Sequence, residues 1–308
     1  MALRRNILLF HQGALGDFIL TWPIALALAR IHPQSRLFYV THAQKGKLAE
    51  KALGVEWADA EMGWHTLFGD AAESLLEAPG KLLAGAHSVV SFVSTGDDAW
   101  AQNVRRLAPS AELTTLAVSP PADFTGHVTD HLLAQLSHRP AAQEALAQVM
   151  RSVSSRGVTT RTAVPDGPVV IHPGSGARRK CWPVDRFLDL IARVRAAGRE
   201  VRVVLGEVEL ETWDRAEVAG ISSSAPVVRP NTYVELLDEL TRAAVFVGND
   251  TGPSHLAGII GVPTVALFGA SNATHWRPLG PNVRVVQASS IEGIEVARVE
   301  AEVRMALA

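Results

Sequence analysis

Four short stretches of the chain carry the side-chain types from which a reaction could be built. The first is GALGD, residues 13–17. Its two glycines, Gly13 and Gly16, let the backbone turn sharply and approach a ligand closely. Asp17 is then carried to the start of a helix, where it either acts on a ligand or simply caps the helix. The second is IHPGSGARRKCWP, residues 171–183. A glycine turn of this kind exposes backbone N–H groups that can cradle phosphate. Ser175 and Gly176 lie in the turn, and Arg178, Arg179 and Lys180 add cationic donors; the alternative is a solvated basic loop. The third is GNDTGPSHLAG, residues 248–258. Asp250 closes an apolar run, Thr251 and Gly252 form a tight turn, and Ser254 and His255 open a helix. Such a cluster suits a diphosphate or a ribose, although the same residues are ordinary turn and cap formers. The fourth is VLGEVELE, residues 204–211, where Glu207, Glu209 and Glu211 compete to hold ribose hydroxyls.

Several chemistries are disfavoured by what the sequence lacks. The first turn reads GxxG rather than GxGxxG, and the second strand ends in Thr41 and His42 with no acid for a ribose, so a dinucleotide fingerprint fits poorly. The basic loop does not have Walker A spacing. No HExxH or GxSxG motif occurs, which removes the common zinc-protease and serine-hydrolase signatures. No DxD motif occurs either, which disfavours a metal-dependent single-domain sugar transferase. His11, His32, His42 and His65 lack metal-ligand spacing and read as ordinary histidines. The single cysteine, Cys181, excludes an intramolecular disulfide framework and a Cys-rich metal site.

The elements that must position these turns alternate between strand-like and helix-like, which predicts an α/β protein with parallel sheets. Strands are expected at residues 6–10, 37–42, 88–94 and 113–118, with a helix over 18–31. Helical stretches at 131–136 and 141–150 lead into a Ser-, Thr-, Gly- and Pro-rich segment, 152–168, that reads as a linker. The pattern then restarts with strands at 169–174, 201–206, 244–250, 263–269 and 283–287. Helices are expected at 183–196, 233–241 and 254–260, with a helical tail at 292–308. Two such halves place a ligand cleft at the carboxyl ends of their strands, where all four chemical turns fall.

Composition agrees with this plan. The 308 residues suit two domains. With 47% hydrophobic and 19% charged residues, each domain can build a core. A net charge of −2 excludes a chain that coats nucleic acid through bulk charge. No stretch reaches the ~20 apolar residues of a spanning helix. The N-terminal run from Ile7 to Phe10 is too short for a secretion signal. A cytoplasmic protein is expected, with weak membrane contact left open.

Three blocks together resemble glycosyltransferase family 9, the bacterial lipopolysaccharide heptosyltransferases: GALGDFILTWPIALALAR, HPGSGARRKCWPVDRF, and FVGNDTGPSHLAGIIGVPTVALFGASNATHWRPLGP. The resemblance implies the GT-B architecture, with two Rossmann-like domains facing a central cleft. Residues 1–163 would bind the acceptor and residues 164–291 the donor, with the tail 292–308 returning to the first domain. It implies inverting transfer of a sugar, heptose from ADP-heptose in the characterised branches, onto a lipopolysaccharide core or related glycan. Asp17 matches the proposed catalytic base and Lys180 a lysine at the donor phosphates. Gly16, Ser175, Gly176, Asp250, Thr251, Gly252 and His255 fall in the donor-binding pattern, and Glu209 is assigned to the ribose. The glycine at 176 departs from a small hydroxyl residue, so its contact is restricted to the main chain. The resemblance implies no tightly bound cofactor or metal, with a divalent cation at most stimulatory. The partners it implies are a nucleotide-sugar donor and a glycolipid or oligosaccharide acceptor, with peripheral contact at the inner membrane and no nucleic acid. Lys45, Lys47, Lys51, Arg105 and Arg106 either meet an anionic acceptor or are simply solvated. Two other readings stay open: a GT-B-like sugar-nucleotide epimerase, and a non-catalytic nucleotide-sugar-binding protein.

Overall fold

A computed structural model describes residues 5–69, 75–136, 140–159, 164–269 and 271–308. The chain divides into two compact units, Met1–Arg151 and Ser152–Ala308. Residues 1–4 of the N-terminal stretch, 160–163 of the expected linker, and Ala270 of the late turn lie outside the described residues.

In the first unit the strands are β1 (Asn6–Phe10), β2 (Arg36–Thr41), β3 (Glu56–Asp59), β4 (Ala86–Ser91) and β5 (Glu112–Thr115). The helices are α1 (Leu15–Leu20), α2 (Trp22–Ile31), α3 (Ala43–Leu53), α4 (Glu77–Ala84), α5 (Ala99–Leu107), α6 (Val128–Gln135) and α7 (Pro140–Arg156). All strand pairs are parallel, in the order β3-β2-β1-β4-β5. β1 is central and buried along its whole length. Leu8, Phe10, Phe38, Val40 and Val89 from the strands meet Trp64 and Trp100 in one core. The ring of Phe10 makes edge contacts with both tryptophans, at 5.0 and 4.9 Å. Each such aliphatic side chain contributes ~1.5–3 kcal/mol on full burial.

The helix expected over residues 18–31 is broken in two at Thr21. Pro23 near the start of α2 cannot donate a main-chain hydrogen bond back into α1. The Thr21 hydroxyl instead donates to the Phe18 carbonyl at 2.7 Å and lies 3.0 Å from the buried Tyr39 hydroxyl. α1 is thereby a short separate helix, and it carries Gly16 and Asp17.

In the second unit the strands are β6 (Val169–His172), β7 (Val201–Val204), β8 (Val227–Val228), β9 (Val245–Asn249), β10 (Thr264–Phe268) and β11 (Val283–Gln287). The helices are α8 (Val184–Ala196), α9 (Glu207–Thr212), α10 (Arg215–Ser224), α11 (Tyr233–Thr241), α12 (Gly252–Ile259), α13 (Ala273–Trp276) and α14 (Val296–Leu307). The sheet is again parallel, ordered β11-β10-β9-β6-β7-β8. In each unit the order reverses beside the first strand, at β1/β4 and at β6/β9. Ligands in open parallel sheets bind beyond the carboxyl ends at such a reversal.

In the tail, Val299 and Val303 are buried in the core of the second unit, where α14 packs on α8 and on β9–β11. The division at Arg151/Ser152 falls within α7, and the segment after α7 is tied to the second unit. The main-chain N–H of Val158 donates to the Ile259 carbonyl at 2.8 Å, and the Thr159 hydroxyl donates to the Ile260 carbonyl at 3.1 Å.

Candidate functional site

The second unit gathers its chemical turns at the β6/β9 reversal. β6 runs into the HPGSG turn and β9 into NDTG, so the sheet itself carries the two stretches side by side. Lys180, at the end of a short 3-10 turn (Arg178–Lys180), donates from Nζ to Asp250 Oδ2 at 2.7 Å. On the other side of the carboxylate, His255 Nε2 lies 3.8 Å from Asp250 Oδ1. The Ser175 hydroxyl donates to the Asp250 main-chain oxygen at 3.0 Å. Asp250 is buried, which alone would raise its pKa. The hydrogen bonds from His255 and Lys180, the Lys180 charge and a hydrogen bond from Ser271 outweigh that, and the pKa falls to about 2. A carboxylate so held stays ionised and keeps Lys180 in place. An ammonium has three donors, so Lys180 retains two for a ligand.

Thr251 and Gly252 follow Asp250 at the start of α12, both half-buried, while Ser254 and His255 are buried in its first turn. His255 Nδ1 is buried without a hydrogen-bond partner. Gly176 is exposed, and a side chain there would meet nothing within 4 Å.

Asn249 is a residue that the sequence reading passed over. It is fully buried. Its Nδ2 donates to the carbonyls of Pro173 at 2.7 Å and Gly174 at 3.2 Å, while its Oδ1 accepts the Trp182 N–H at 3.0 Å. One amide thus ties the glycine turn to the end of β9. Position in the motif was the available signal, since Asn249 directly precedes the acid. Trp182 docks the following helix, with its ring 4.9 Å from that of Phe187 and its Nε1 donating to the Ile294 carbonyl.

Of the three competing glutamates, Glu209 alone turns inward. It is 3% exposed, and its Oε2 accepts the Gly206 N–H at 2.8 Å. A Cβ at position 174 would fall 1.8 Å from its Oε1, so only glycine fits there beside that carboxylate. Glu207 and Glu211 are exposed.

The first unit builds a different cluster at the carboxyl end of β1. Asp17 is the third residue of α1, and the helix cap is Ala14, which makes no side-chain cap bond. Asp17 is therefore not the N-cap. It is half-buried beside Gly13, whose added Cβ would stand 3.1 Å from the His11 ring and 3.5 Å from Asp17 Cβ. Lys45, in the first turn of α3, is 8% exposed rather than solvated, and its Nζ donates to the Gly13 carbonyl at 2.7 Å. Burial lowers the Lys45 pKa and the Asp17 charge opposes that shift. His11 is buried with Nδ1 unpartnered. Burial and the Lys45 charge hold its pKa down to about 3, so the ring is neutral.

Among the described residues, no group of three or more His, Cys, Asp and Glu is arranged to hold a metal. No described helix is long and apolar enough to cross a membrane.

A family model described as glycosyltransferase family 9 (heptosyltransferase) matches residues 98–304, more than half of the chain. Lipopolysaccharide heptosyltransferase 3 of Escherichia coli strain K12 is 26% identical over 191 residues, covering 60% of this chain and 52% of that protein. The chain thus spans about half the length of this relative. Among solved structures, a family 9 glycosyltransferase from Veillonella parvula superposes with a TM-score of 0.69 at 19% identity, covering 100% of this chain and 98% of the other. The E. coli heptosyltransferase WaaC with ADP superposes with a TM-score of 0.68 at 15% identity, covering 98% and 99%. These likenesses show the GT-B fold of two parallel-sheet α/β domains.

Proposed function

The chain belongs to glycosyltransferase family 9, and from that premise we propose that it is an inverting glycosyltransferase. It moves a sugar from a nucleotide-sugar donor onto a lipopolysaccharide core or related bacterial surface glycan. The observation that carries this reading is the Lys180–Asp250–His255 constellation at the β6/β9 reversal, with the Ser175 and Asn249 bonds that fix the two turns around it. A lysine pinned by a buried carboxylate, next to exposed main chain at Gly176, is suited to a diphosphate.

The donor is a heptose carried on ADP. The heptosyltransferase relative and the ADP held by WaaC support that choice. In the reaction the acceptor hydroxyl oxygen attacks the anomeric carbon in line and forms the new C–O bond. The bond from that carbon to the diphosphate oxygen breaks, and its electron pair leaves with the nucleoside diphosphate. The hydroxyl proton passes to Asp17. A carboxylate is a weak base toward an alcohol, and it serves here because proton transfer lags behind bond formation. Lys180 and the turn amides, including that of Gly176, take up the charge growing on the leaving group. Asp250 positions Lys180, since a second anion gains nothing by facing the phosphates directly. Thr251, Gly252 and His255 shape the same turn, Gly16 brings the α1 backbone close to the reacting sugar, and Glu209 is the ribose contact. A divalent cation is at most stimulatory. A glycolipid acceptor would bring the protein to the cytoplasmic face of the inner membrane as a peripheral visitor.

An epimerase needs further acids and bases around the sugar. The nearest candidate by strand order is Asp98, after β4. Its carboxylate accepts the N–H groups of Ala101 and Thr95 and the hydroxyl of Ser94. Burial acts the other way, and these bonds outweigh it to lower its pKa, which suits a helix cap rather than a proton donor.

The test is to incubate ADP-, GDP- and UDP-sugars with and without a lipopolysaccharide-core acceptor, after ranking them by thermal shift. A donor at 100 times its dissociation constant stabilises by ~2.7 kcal/mol. Transfer that requires the acceptor supports the reading. Conversion of the donor alone would identify an epimerase, and tight binding with no transfer to any acceptor would identify a sensor.

A further inference from the structure

Lys45 is a charged member of the β1 cluster that the proposed reaction leaves without a task. Its surroundings are unusual for a lysine, since this side chain is almost never fully buried unless paired. It comes from the first turn of α3, beyond β2, and crosses to the neighbouring strand end. There its Nζ donates to the Gly13 carbonyl at 2.7 Å. Gly13 begins the GALGD turn, and Asp17 is four residues on, with its Cβ close to the Gly13 α-carbon. The other titratable group in the cluster, His11, is buried and neutral. The Lys45 ammonium is a positive charge that the Asp17 carboxylate feels, since that carboxylate raises the Lys45 pKa against burial.

We propose that Lys45 is a positioning residue for sugar transfer: its ammonium clasps the Gly13 carbonyl, fixes the turn that presents Asp17, and supplies that carboxylate with a counter-charge. The proposal rests on the reading of Asp17 as the base. A base must lie within hydrogen-bond reach of the proton that it accepts, and a shift of an ångström in such a group can cost on the order of 100-fold in rate. A neutral side chain at position 45 would free the Gly13 carbonyl and strip the counter-charge, with no direct effect on the donor-binding turns of the second unit.

The test compares Lys45→Met, Lys45→Arg, Asp17→Asn and the double variant Lys45→Met/Asp17→Asn, using ADP-heptose and a lipopolysaccharide-core acceptor. The expected result for Lys45→Met is a fall in kcat of about 100-fold, with donor KM and ADP affinity unchanged. Lys45→Arg, which keeps charge and a donor, recovers most of the rate. In the Asp17→Asn background the Lys45→Met change has no further effect, because a residue that acts through Asp17 has nothing left to act on.

Wild-type kcat in Lys45→Met, or additive losses in the double variant, would overturn the proposal while leaving the transferase reading intact. Full activity in Asp17→Asn would overturn the base assignment, and the proposal with it. Absence of transfer by the wild-type protein would overturn the transferase reading itself. Should Lys45→Met be insoluble, Lys45→Gln gives the same neutral comparison, and folding is checked in each variant by its thermal midpoint.

Discussion

The two units repeat one plan at the end of their first strand and then diverge. β1 runs into His11-Gln12-Gly13, and β6 ends in His172 followed by Pro173-Gly174. His172 Nδ1 is paired with the Val204 carbonyl at 3.0 Å, whereas His11 Nδ1 is buried without a partner. Each unit also sets a lysine against its chemical turn. Lys180 meets the Asp250 carboxylate directly, and that carboxylate is buried among donors that keep it ionised. Lys45 meets a main-chain carbonyl, and Asp17 stays half-buried at the start of a six-residue helix. The contrast separates two uses of an aspartate. A carboxylate locked by hydrogen bonds holds other groups still and is a poor proton acceptor. A half-buried one carried on a fixed turn is, on the reading proposed above, the one that meets a substrate hydroxyl.

The sharpest way to break that comparison is to remove each acid in turn. Asp17→Ala is expected to lower the transfer rate by ~10²–10⁴-fold, the range for a positioned general base. Nucleotide affinity, read by calorimetry, should stay at the wild-type value. A wild-type rate would make Asp17 a structural residue. Asp250→Ala is expected to act on the other side of the comparison. It leaves Lys180 and His255 without their shared partner, at a cost of ~2–3 kcal/mol in urea unfolding, and it weakens nucleotide binding at least tenfold. Unchanged affinity would mean that Lys180 finds the diphosphate without help from Asp250.

Acid should act on the two units over different ranges of pH. His11 has a pKa near 3 when folded, against 6.5 for an ordinary histidine. The unfolded chain therefore takes up its proton first, and stability falls as pH drops from 6.5 toward 3, by up to about 4 kcal/mol. Asp250 falls from 3.8 to about 2. Its contribution is present above pH 4 and is lost only as pH falls toward 2, by about 2 kcal/mol. Urea midpoints of the wild type and of His11→Phe, followed from pH 7 to 4, check this. The wild type should weaken steadily and the variant much less. Parallel loss in both proteins would show that His11 is protonated while folded.

How far this was legible in the sequence depended on whether a pattern was local. β9, β10 and β11 are apolar runs that read as strands, and α11 occupies the stretch its periodicity marks. β3, with the sequence EWAD, was invisible, because its half-buried residues carry no apolar run. In α9 the usual rule of burial is inverted. Val208 and Leu210 are 52% and 38% exposed while Glu209 is buried, since a carboxylate that caps its own helix at Gly206 need not face water. Lys45 read as one surface lysine among several. Its burial depends on the Gly13 carbonyl, which lies thirty-two residues away in sequence and is brought near only by the pairing of β1 with β2.

The basic loop gives the smallest expected effect and the finest discrimination. Arg178, Arg179 and Lys180 are consecutive, and the sequence offers no reason to prefer one as a phosphate ligand. Their geometry does. The Arg178 guanidinium pairs with Glu217 and stacks 4.5 Å from the Trp213 ring centre. It is a structural brace on the flank of α10, with its guanidinium engaged by Glu217 and Trp213. Arg178→Ala should therefore cost only ~0.5–1 kcal/mol, as expected for an exposed ion pair with a cation–π contact. Nucleotide affinity should not change. Lys180→Ala, two residues on, should weaken ADP binding clearly while changing stability by a similar small amount, because Lys180 is itself one-third exposed. Calorimetric titration of ADP into both variants reads the difference. Equal loss of affinity would mean that the diphosphate is held by the loop's bulk charge rather than by one pinned ammonium, and the contrast between Lys180 and Lys45 would lose its meaning.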